Sequence, residues 1–277
     1  MSQFSGDLLS RLSQFGRIYL FETINSTQIQ MRKLAKEIPL DGHYGIQAIV
    51  IANQQTQGLG RLGRSWYSPE NGLYFSLLVN FAHDKTPLTL LTLYTGKIIA
   101  DVIEELTLIP IYLKWPNDLV YIDNNYSFYK VGGILSETIG KTFLKPKPDK
   151  KTMIIGIGLN INQTNFPDDL AEATSLKLIT LKTKQKETNF NQGEILYKIL
   201  NRLSESLFND TIQSYTEILQ EIKHKSSVIG KRVKVSQRFK TITGTAIDID
   251  EQGRLILRTE VGRIISLDAG EVSSIRQ

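Results

Sequence analysis

A glycine- and arginine-rich segment, residues 58–66, carries the strongest chemical signal in this sequence. It reads GLGRLGRSW and directly follows an apolar run. Glycines allow backbone N–H groups to approach an anion closely, and guanidinium groups neutralise the charge of that anion. The segment therefore predicts a loop that binds a phosphate or a carboxylate.

Residues 58–63 also fit the G-x-G-x-x-G pattern of dinucleotide-binding folds and protein kinases. The dinucleotide-binding fold needs a strand before the glycines and a helix that begins on them. A strand is predicted at 46–52, but 65–72 contains a proline and a glycine in turn-forming sequence, which cannot begin a helix. The H-R-D and D-F-G motifs of kinases are absent from the sequence. The segment is thus predicted to be an anion-binding loop between two strands, the second at 73–79.

Four further patterns place polar residues at predicted strand ends and turns, where binding groups usually lie. NSTQ at 25–28 predicts either a helix cap or a polar binding group. KWPND at 114–118 sets a cation, an amide and a carboxylate around a proline turn. KVGGIL at 130–135 places a lysine, able to reach a phosphoryl oxygen, before two glycines. GIGLNIN at 156–162 combines small residues with two amides, and each of these patterns alone is weak evidence.

Composition limits the classes of protein. With 277 residues, 41% hydrophobic and 22% charged, the chain has room for a full core and one small extra domain. The absence of cysteine excludes disulfides, thiolate nucleophiles and cysteine metal ligands. His43, His83 and His224 are scattered, so no histidine is expected to bind a metal or act in catalysis. A net charge of +5 supports nucleic-acid binding only weakly.

The N-terminal region lacks a basic flank leading into an apolar stretch, and no apolar run of about 18 residues occurs. We therefore expect a cytoplasmic protein with no membrane association.

Residues 17–160 alternate strand-like and helix-like stretches, which predicts a mixed α/β fold. Helices are predicted at 25–38 and 88–106. The predicted strands lie at 17–23, 46–52, 73–79, 111–114, 119–122, 131–137 and 153–157. Hairpin-like spacing among the later strands indicates antiparallel pairing.

The C-terminal part changes character. Residues 191–224 predict one or two amphipathic helices that close a first domain, residues 1–226. Residues 227–277 contain five short alternating segments punctuated by glycines, which predicts a small SH3-like barrel with a docking or stabilising role. The lysine-rich residues 140–151 are predicted to form a mobile hairpin loop of unassigned role.

Taken in order, these patterns resemble the biotin protein ligase family from about residue 17 to residue 277. Segment 55–66 resembles the family's Q-T-x-G-R-G-R-x-G-R-x-W loop, and 114–118 matches KWPND outright. Segment 130–135 resembles K-x-x-G-I-L, and 156–162 resembles the strand on the nucleotide side. The resemblance implies an α/β (α+β) fold, with a mixed sheet and flanking helices of the class II synthetase-like type, followed by the SH3-like β-barrel.

The resemblance also implies roles for individual residues. The implied catalytic residues are Arg61, Lys130 and Asp118. The implied biotin-binding residues are Ser26, Thr27, Gln28, Gln55, Leu59, Gly60, Arg61, Lys130, Gly132 and Gly133. The implied ATP- and adenylate-binding residues are Arg61, Arg64, Trp66, Lys114, Asn117, Asp118 and Asn160. Within these sets Gln55 would contact the ureido ring, and Asp118 would position or deprotonate the acceptor lysine. No metal-ligating residues are implied.

By the same resemblance the chain uses ATP and biotin, forms biotinyl-AMP, and requires Mg²⁺ with the departing pyrophosphate. The implied acceptor is the biotin carboxyl carrier protein domain of acetyl-CoA carboxylase, and the implied assembly is a monomer or a weak homodimer. Some members carry an N-terminal helix-turn-helix that makes them repressors. Too few residues precede the first predicted strand to form one, so we expect no specific DNA binding.

Leu59 departs from the family, which usually has arginine at this position. Adenylate retention would be weaker if the arginine side chain matters, and little changed if its backbone N–H matters; flanking glycines favour the backbone role. Two alternatives stay open: a lipoate-protein ligase of related fold, and a non-catalytic nucleic-acid-binding module using the lysines of 141–151 and 231–240. The loop, KWPND and the barrel together favour biotin.

Overall fold

The computed structural model describes residues 4, 6–38, 44–81, 87–139, 151–207, 215–237 and 240–274. Its helices are α1 (Gly6–Leu12), α2 (Thr27–Leu34), α3 (Leu88–Thr107), α4 (Leu176–Lys184), α5 (Gln192–Leu207) and α6 (Tyr215–Lys225). Its strands are β1 (Arg17–Ile24), β2 (Gly45–Gln55), β3 (Leu73–Phe81), β4 (Tyr112–Lys114), β5 (Asp118–Ile122), β6 (Phe128–Thr138), β7 (Lys151–Leu159), β8 (Arg232–Ser236), β9 (Thr241–Ile249), β10 (Leu255–Thr259), β11 (Ile264–Leu267) and β12 (Glu271–Ser274).

The first seven strands form one mixed sheet in the order β1-β2-β3-β7-β6-β5-β4. Strand β1 runs parallel to β2, whereas the other neighbouring pairs are antiparallel. This arrangement confirms the predicted mixed fold and the antiparallel pairing of the later strands. Strands β3 and β7 lie at the centre and are buried along nearly their whole length, which explains their almost continuous apolar sequences.

The sheet is covered on both faces, and the alternation of side chains along β2 shows how. Ala48 and Val50 pack with Met31 of α2 in one apolar cluster. Ile49 and Ile51 point to the opposite face and join a larger cluster that includes residues of α3 and α5. The sheet therefore holds α2, and the polar residues at its start, against one face.

The predicted helix at 88–106 is confirmed as α3, and the region 191–224 forms two helices, α5 and α6. Helix α2 ends at Leu34, earlier than predicted, and turns follow it. Two short helices, α1 and α4, were not predicted, although the Ser175 hydroxyl caps α4 by accepting a hydrogen bond from Leu178 N. Most of the lysine-rich segment 140–151, together with His43 and His83, lies outside the described residues.

The last five strands form an antiparallel sheet in the order β11-β10-β9-β8-β12, which confirms the five predicted strands. This sheet is joined to the turn between β4 and β5, because Trp115 Nε1 donates a hydrogen bond to Gly253 O at 2.9 Å. Gly253 has φ +73°, and a Cβ there would lie 2.6 Å from Leu90 N of α3. Only glycine fits this contact without strain. The C-terminal sheet is thus held directly beside the KWPND turn.

The junction between the two sheets lies between the end of α6 at Lys225 and the start of β8 at Arg232. We propose that the domain boundary falls at residues 226/227, within this junction. Among the described residues, no helix is both long enough and apolar enough to cross a membrane.

Candidate active site

A cleft with a volume of about 140 Å³ opens between the start of α2, the loop after β2, the β4–β5 turn, strands β6 and β7, and the start of β12. The predicted site residues that line it are Ser26, Thr27, Gln28, Gln55, Leu59, Gly60, Arg61, Arg64, Trp66, Lys114, Asn117, Asp118, Lys130 and Gly133. It is also lined by Leu62, Ser65, Trp115, Pro116, Ile134, Leu135, Gly156, Ile157, Gly158, Gly270, Glu271 and Val272. The fold thus brings segments distant in sequence around one cavity.

Two predicted residues, Gly132 and Asn160, lie behind this lining. A Cβ on Gly132 would lie 2.6 Å from the Leu159 side chain, so Gly132 faces the core. Asn160 is buried, and it donates to Lys130 O at 3.4 Å while it accepts from Gln163 Nε2 at 3.3 Å. Both residues lie outside the lining of this cleft, and their predicted binding roles remain predictions.

The glycine-arginine loop is a tight hairpin. Trp66 N donates to Gly58 O at 2.8 Å, and Gly60 N donates to Arg64 O at 2.7 Å. A Cβ on Gly58 would lie 2.4 Å from Trp66 O, so glycine is needed for the two sides of the hairpin to approach. These two glycines therefore allow the close approach of the loop's own backbone, in which the Gly60 N–H is already used. Gly63, with φ +77°, provides the turn.

Leu59 lies opposite Ser65 in this hairpin. The two hydrogen bonds flank the pair, which makes Leu59 and Ser65 a non-hydrogen-bonded pair of an antiparallel ladder. The ladder therefore does not use the Leu59 N–H. This geometry supports a backbone role at the position where the family usually has arginine.

Arg61 is a partly buried cation in the cleft. Its Nη1 donates to the Asn117 amide oxygen at 3.0 Å, and Asn117 is oriented in turn by donating to Ile134 O at 2.9 Å. Burial lowers the pKa of Arg61, and the nearby Asp118 carboxylate partly offsets this effect. Among the ion pairs between described residues, none includes Arg61. A desolvated guanidinium whose direct partner is a neutral amide favours binding of an anionic group.

Lys130 supplies a second cation to the cleft lining. Its Nζ lies 2.8 Å from Asp118 Oδ1 and 5.2 Å from the centroid of the Trp66 ring. A Cβ on Gly133, the residue that pairs with Asp118, would lie 3.6 Å from Lys130 Cε and 3.7 Å from Asp118 Oδ1, so the two side chains meet beside Gly133. Besides the Arg64–Glu271 pair and Lys114, the lining therefore contains Arg61 and the Lys130–Asp118 pair, whose contact can be exchanged when an anion enters.

The other end of the cleft is polar and neutral. Ser26 occupies the N-cap position of α2, yet its side chain makes no capping hydrogen bond. Its hydroxyl is fully buried and has no hydrogen-bond partner within the part of the chain that the structure describes. Thr27 N donates to Gln55 Oε1 at 2.8 Å, and Gln55 Nε2 donates to Ser68 Oγ at 2.8 Å. Because a buried unpaired hydroxyl is costly, this geometry favours a binding role over the helix-cap interpretation.

The small residues of GIGLNIN were noted in the sequence but given no role in the site, and Ser76 was missed. A Cβ on Gly156 would lie 2.4 Å from Gln28 Oε1, and a Cβ on Gly158 would lie 2.4 Å from Trp66 Nε1. The two glycines of β7 therefore make room for side chains of the site. Ser76 is fully buried within β3 and bonds to the α2 residues. A serine within the otherwise hydrophobic run 73–79 was a usable signal.

We expect Gly158→Ala to displace the Trp66 indole and weaken nucleotide binding. The added methyl group overlaps the ring, and relief of such overpacking costs about 1–3 kcal/mol. If that cost falls on binding, the KM for ATP, measured by steady-state kinetics, should rise about 5- to 150-fold. Gly6→Ala is the matched control, because a Cβ at Gly6 meets no atom within 4 Å. An unchanged KM for ATP in Gly158→Ala would contradict the packing role.

The C-terminal sheet contributes directly to the cleft. Gly270, Glu271 and Val272 line it, and Glu271 forms a bidentate ion pair with Arg64 of the glycine-arginine loop. The sequence predicted only docking or stabilisation for this domain, so its contribution to the cleft corrects that expectation. Glu271, the first residue of β12, thus connects the glycine-arginine loop to the C-terminal sheet.

The Arg64–Glu271 contact is expected to weaken in acid. Hydrogen bonds from Arg64 hold the pKa of the Glu271 carboxyl below its usual range. The pair therefore stabilises the folded state above the ordinary glutamate pKa of about 4.3, and this contribution is lost as pH falls through the lowered value. Because the side chains are 58% and 51% exposed, we expect at most about 1 kcal/mol.

Thermal unfolding of the native chain and of Glu271→Gln tests this sign. The native chain should be more stable near pH 7, and the difference should shrink as pH falls below the ordinary glutamate pKa and vanish in acid where folded Glu271 is protonated. A difference of equal size at both pH values would contradict the assignment.

Two protein-family models match parts of this chain. Residues 20–160 match the model of the Biotin/lipoate A/B protein ligase family, and residues 228–274 match the Biotin protein ligase C terminal domain. The bifunctional ligase/repressor BirA of Bacillus subtilis is 30% identical over 256 residues, covering 89% of this chain and 71% of that protein. The biotin--[acetyl-CoA-carboxylase] ligase of Mycobacterium tuberculosis is 30% identical over 239 residues, covering 82% and 79%.

A solved structure agrees in fold over nearly the full length. The biotin protein ligase from Aquifex aeolicus in complex with biotin and ATP superposes with a TM-score of 0.72 at 34% identity. The match covers 94% of this chain and 99% of that chain.

Proposed function

The chain belongs to the biotin/lipoate A/B protein ligase family, and on that basis we propose that its cleft joins biotin to AMP and then transfers the biotinyl group to a lysine of a carrier protein. The observation that carries the proposal is that one cleft combines two cations, Arg61 and Lys130, with the buried Ser26 hydroxyl, which has no hydrogen-bond partner among the described residues. Biotin has a matching polarity, with a carboxylate at one end and a cyclic urea at the other.

In the first step, a carboxylate oxygen of biotin attacks the α-phosphorus of ATP. A P–O bond forms, the bond to pyrophosphate breaks, and biotinyl-AMP results. The obstacle is the approach of two anions, and preorganised cations lower it most when they are already desolvated. Arg61 and Lys130 are placed to screen both groups. Lys130 would exchange its contact with Asp118, at 2.8 Å, for the incoming anion.

Mg²⁺ is expected to enter with ATP, bound to the phosphates and leaving with pyrophosphate. The described residues contain no group of three or more His, Cys, Asp or Glu side chains that could hold a metal ion. The protein's part would be to hold the nucleotide through Arg61, Lys130 and the Asn117 amide.

In the second step, the acceptor lysine attacks the carbonyl carbon of biotinyl-AMP. A C–N bond forms, the bond to AMP breaks, and the amine loses a proton. A free lysine has a pKa of about 10.4, so its amine needs a proton acceptor near neutral pH. Asp118 is free for this role once Lys130 turns to the bound anion. A base in this position contributes typically about 10²- to 10⁴-fold to the rate.

The relative from Mycobacterium tuberculosis is named for acetyl-CoA-carboxylase. We propose the biotin carboxyl carrier protein domain of that enzyme as the acceptor here also. That the chain is a monomer or weak homodimer, and that it does not bind specific DNA, remain predictions.

Biotin-dependent exchange of labelled pyrophosphate into ATP tests the first step in the absence of any acceptor. The proposal expects exchange that requires both biotin and Mg²⁺. Exchange stimulated by lipoate and not by biotin would assign the cleft to the other branch of the family. No exchange with either acid would refute an adenylating function.

A further inference from the structure

Gln28, at the start of α2, is held so that one end of its side-chain amide faces the cleft. Its Nε2 donates to Glu137 Oε1 at 2.8 Å and to Leu135 O at 3.3 Å. Both partners are oxygens that only accept, so an amide oxygen in this place would face two oxygens. The Nε2 end must therefore point toward β6. The Oε1 end lies against Gly156, a residue of the cleft lining.

Glu137 lies outside the cleft lining and is itself held from the surface. Arg32 Nε and Nη2 each donate to its carboxylate at 2.8 Å. Gln28 and Arg32 are four residues apart on α2, so they lie on one face of the helix and reach the same carboxylate. The Glu137 side chain is 28% exposed, whereas Gln28 is 3% exposed. The carboxylate thus links an exposed ion pair to a buried amide of the site.

The orientation of Gln28 affects the neighbouring polar residues. Ser76 Oγ lies 3.0 Å from Gln28 Oε1 and 2.9 Å from Thr27 Oγ1, and its single proton can serve one of them at a time. Thr27 in turn donates to Gln55 Oε1 from its backbone N and its hydroxyl. A reversed Gln28 amide would set N–H groups against this part of the cleft.

We propose that Glu137 is a positioning residue for biotin recognition, which acts through Gln28 by keeping an acceptor oxygen directed to the cleft. The inference rests on the proposed function, because the ureido ring of biotin presents two N–H donors and one carbonyl oxygen. An acceptor in the wall suits those donors. A reversed amide would place donor against donor and leave both without partners.

The test is Glu137→Met, which keeps most of the side-chain length and removes the charged acceptor. The KM for biotin, and the Kd for biotin from calorimetric titration without ATP, should rise about 10- to 100-fold, the scale of an unsatisfied buried polar group. The KM for ATP and kcat should change less than about twofold. Glu137→Gln can still accept from Gln28 Nε2, so it should restore most of the affinity.

Glu105→Met is the matched control. Glu105 also accepts from two basic side chains, Lys198 at 2.6 Å and Arg202 at 2.9 Å, but it lies outside the cleft lining. Its variant should bind biotin like the native chain. A double-mutant cycle then separates a route through Gln28 from a general effect on folding. In a Gln28→Leu background, Glu137→Met should add little further loss.

Three results would overturn the inference: native biotin affinity in Glu137→Met, equal increases in the KM values for biotin and ATP, or additive losses in the double variant. If thermal unfolding shows that Glu137→Met is poorly folded, Glu137→Leu replaces it with the same expectations. If the native chain itself binds no biotin, the proposed function fails and the inference fails with it. If the native chain binds biotin and Glu137→Met binds it equally well, only the role of Glu137 is refuted and the proposed function stands.

Discussion

Replacing Arg61 with alanine is expected to lower the rate of biotinyl-AMP formation by about 10²- to 10³-fold, equivalent to about 3–4 kcal/mol of transition-state stabilisation. The guanidinium is partly buried, and its direct partner is the neutral Asn117 amide at 3.0 Å. Its charge is therefore available to the anions that meet in the first step. Single-turnover formation of biotinyl-AMP with saturating ATP and biotin measures this step directly.

A second variant at Arg61 separates the effect of its charge from that of its shape, and a variant at Arg202 serves as the control. Arg61→Lys keeps the charge but loses the planar fork of donors, so an intermediate rate is expected. Arg202→Ala is the control, because Arg202 is an arginine paired with Glu105 outside the cleft. A rate for Arg61→Ala within a few-fold of native would refute the electrostatic role.

The second large effect is expected for Asp118→Asn and should fall on the transfer step. If Asp118 accepts the proton of the attacking lysine, its loss should slow transfer from preformed biotinyl-AMP by about 10²- to 10⁴-fold. The Lys130 ammonium, 2.8 Å away, would lose its carboxylate partner. That loss leaves Lys130 cationic for the first step, so adenylate formation should change less than transfer.

Asp101→Asn provides a matched control. Asp101 also lies 2.8 Å from a lysine Nζ, that of Lys97, but this pair is on α3 and outside the cleft lining. Rates of both steps, measured separately by rapid quench, should be native in this control. Normal transfer from preformed adenylate in Asp118→Asn, with loss of adenylate synthesis, would place the role of Asp118 with ATP instead.

Much of the fold follows from local sequence pattern. The long helix α3 and the central strands have strong periodicity or continuous apolar runs, and both were predicted close to their observed bounds. Helices α1 and α4, with 7 and 9 residues, were missed because so few turns give little periodic signal. The parallel pairing of β1 with β2 also depends on tertiary packing, which local pattern does not encode.

The site residues were predicted mainly from motifs, but not every residue of a motif lines the cleft. Arg61, Asn117 and Lys130 all reach the cleft, because each lies in or beside a turn or strand that faces it. Gly132 and Asn160 belong to the same motifs but face the interior. Membership of a motif does not give the direction of a side chain along a strand.

Other contributions could not be read from the sequence because they join distant segments. Glu271 lies in the C-terminal sheet and reaches Arg64 only through the packing of that sheet beside Trp115. Glu137 bonds to Gln28 across the space between α2 and β6. No local spacing relates either pair, and only the tertiary structure brings these side chains together.

The most direct test of the central claim is intact-mass spectrometry of a biotin carrier domain after incubation with the protein, ATP, Mg²⁺ and an equal mixture of biotin and lipoate. The account predicts a single ATP-dependent mass gain equal to one biotinyl group on the carrier. A lipoyl-sized gain, or no gain on the carrier with ATP present, would contradict it.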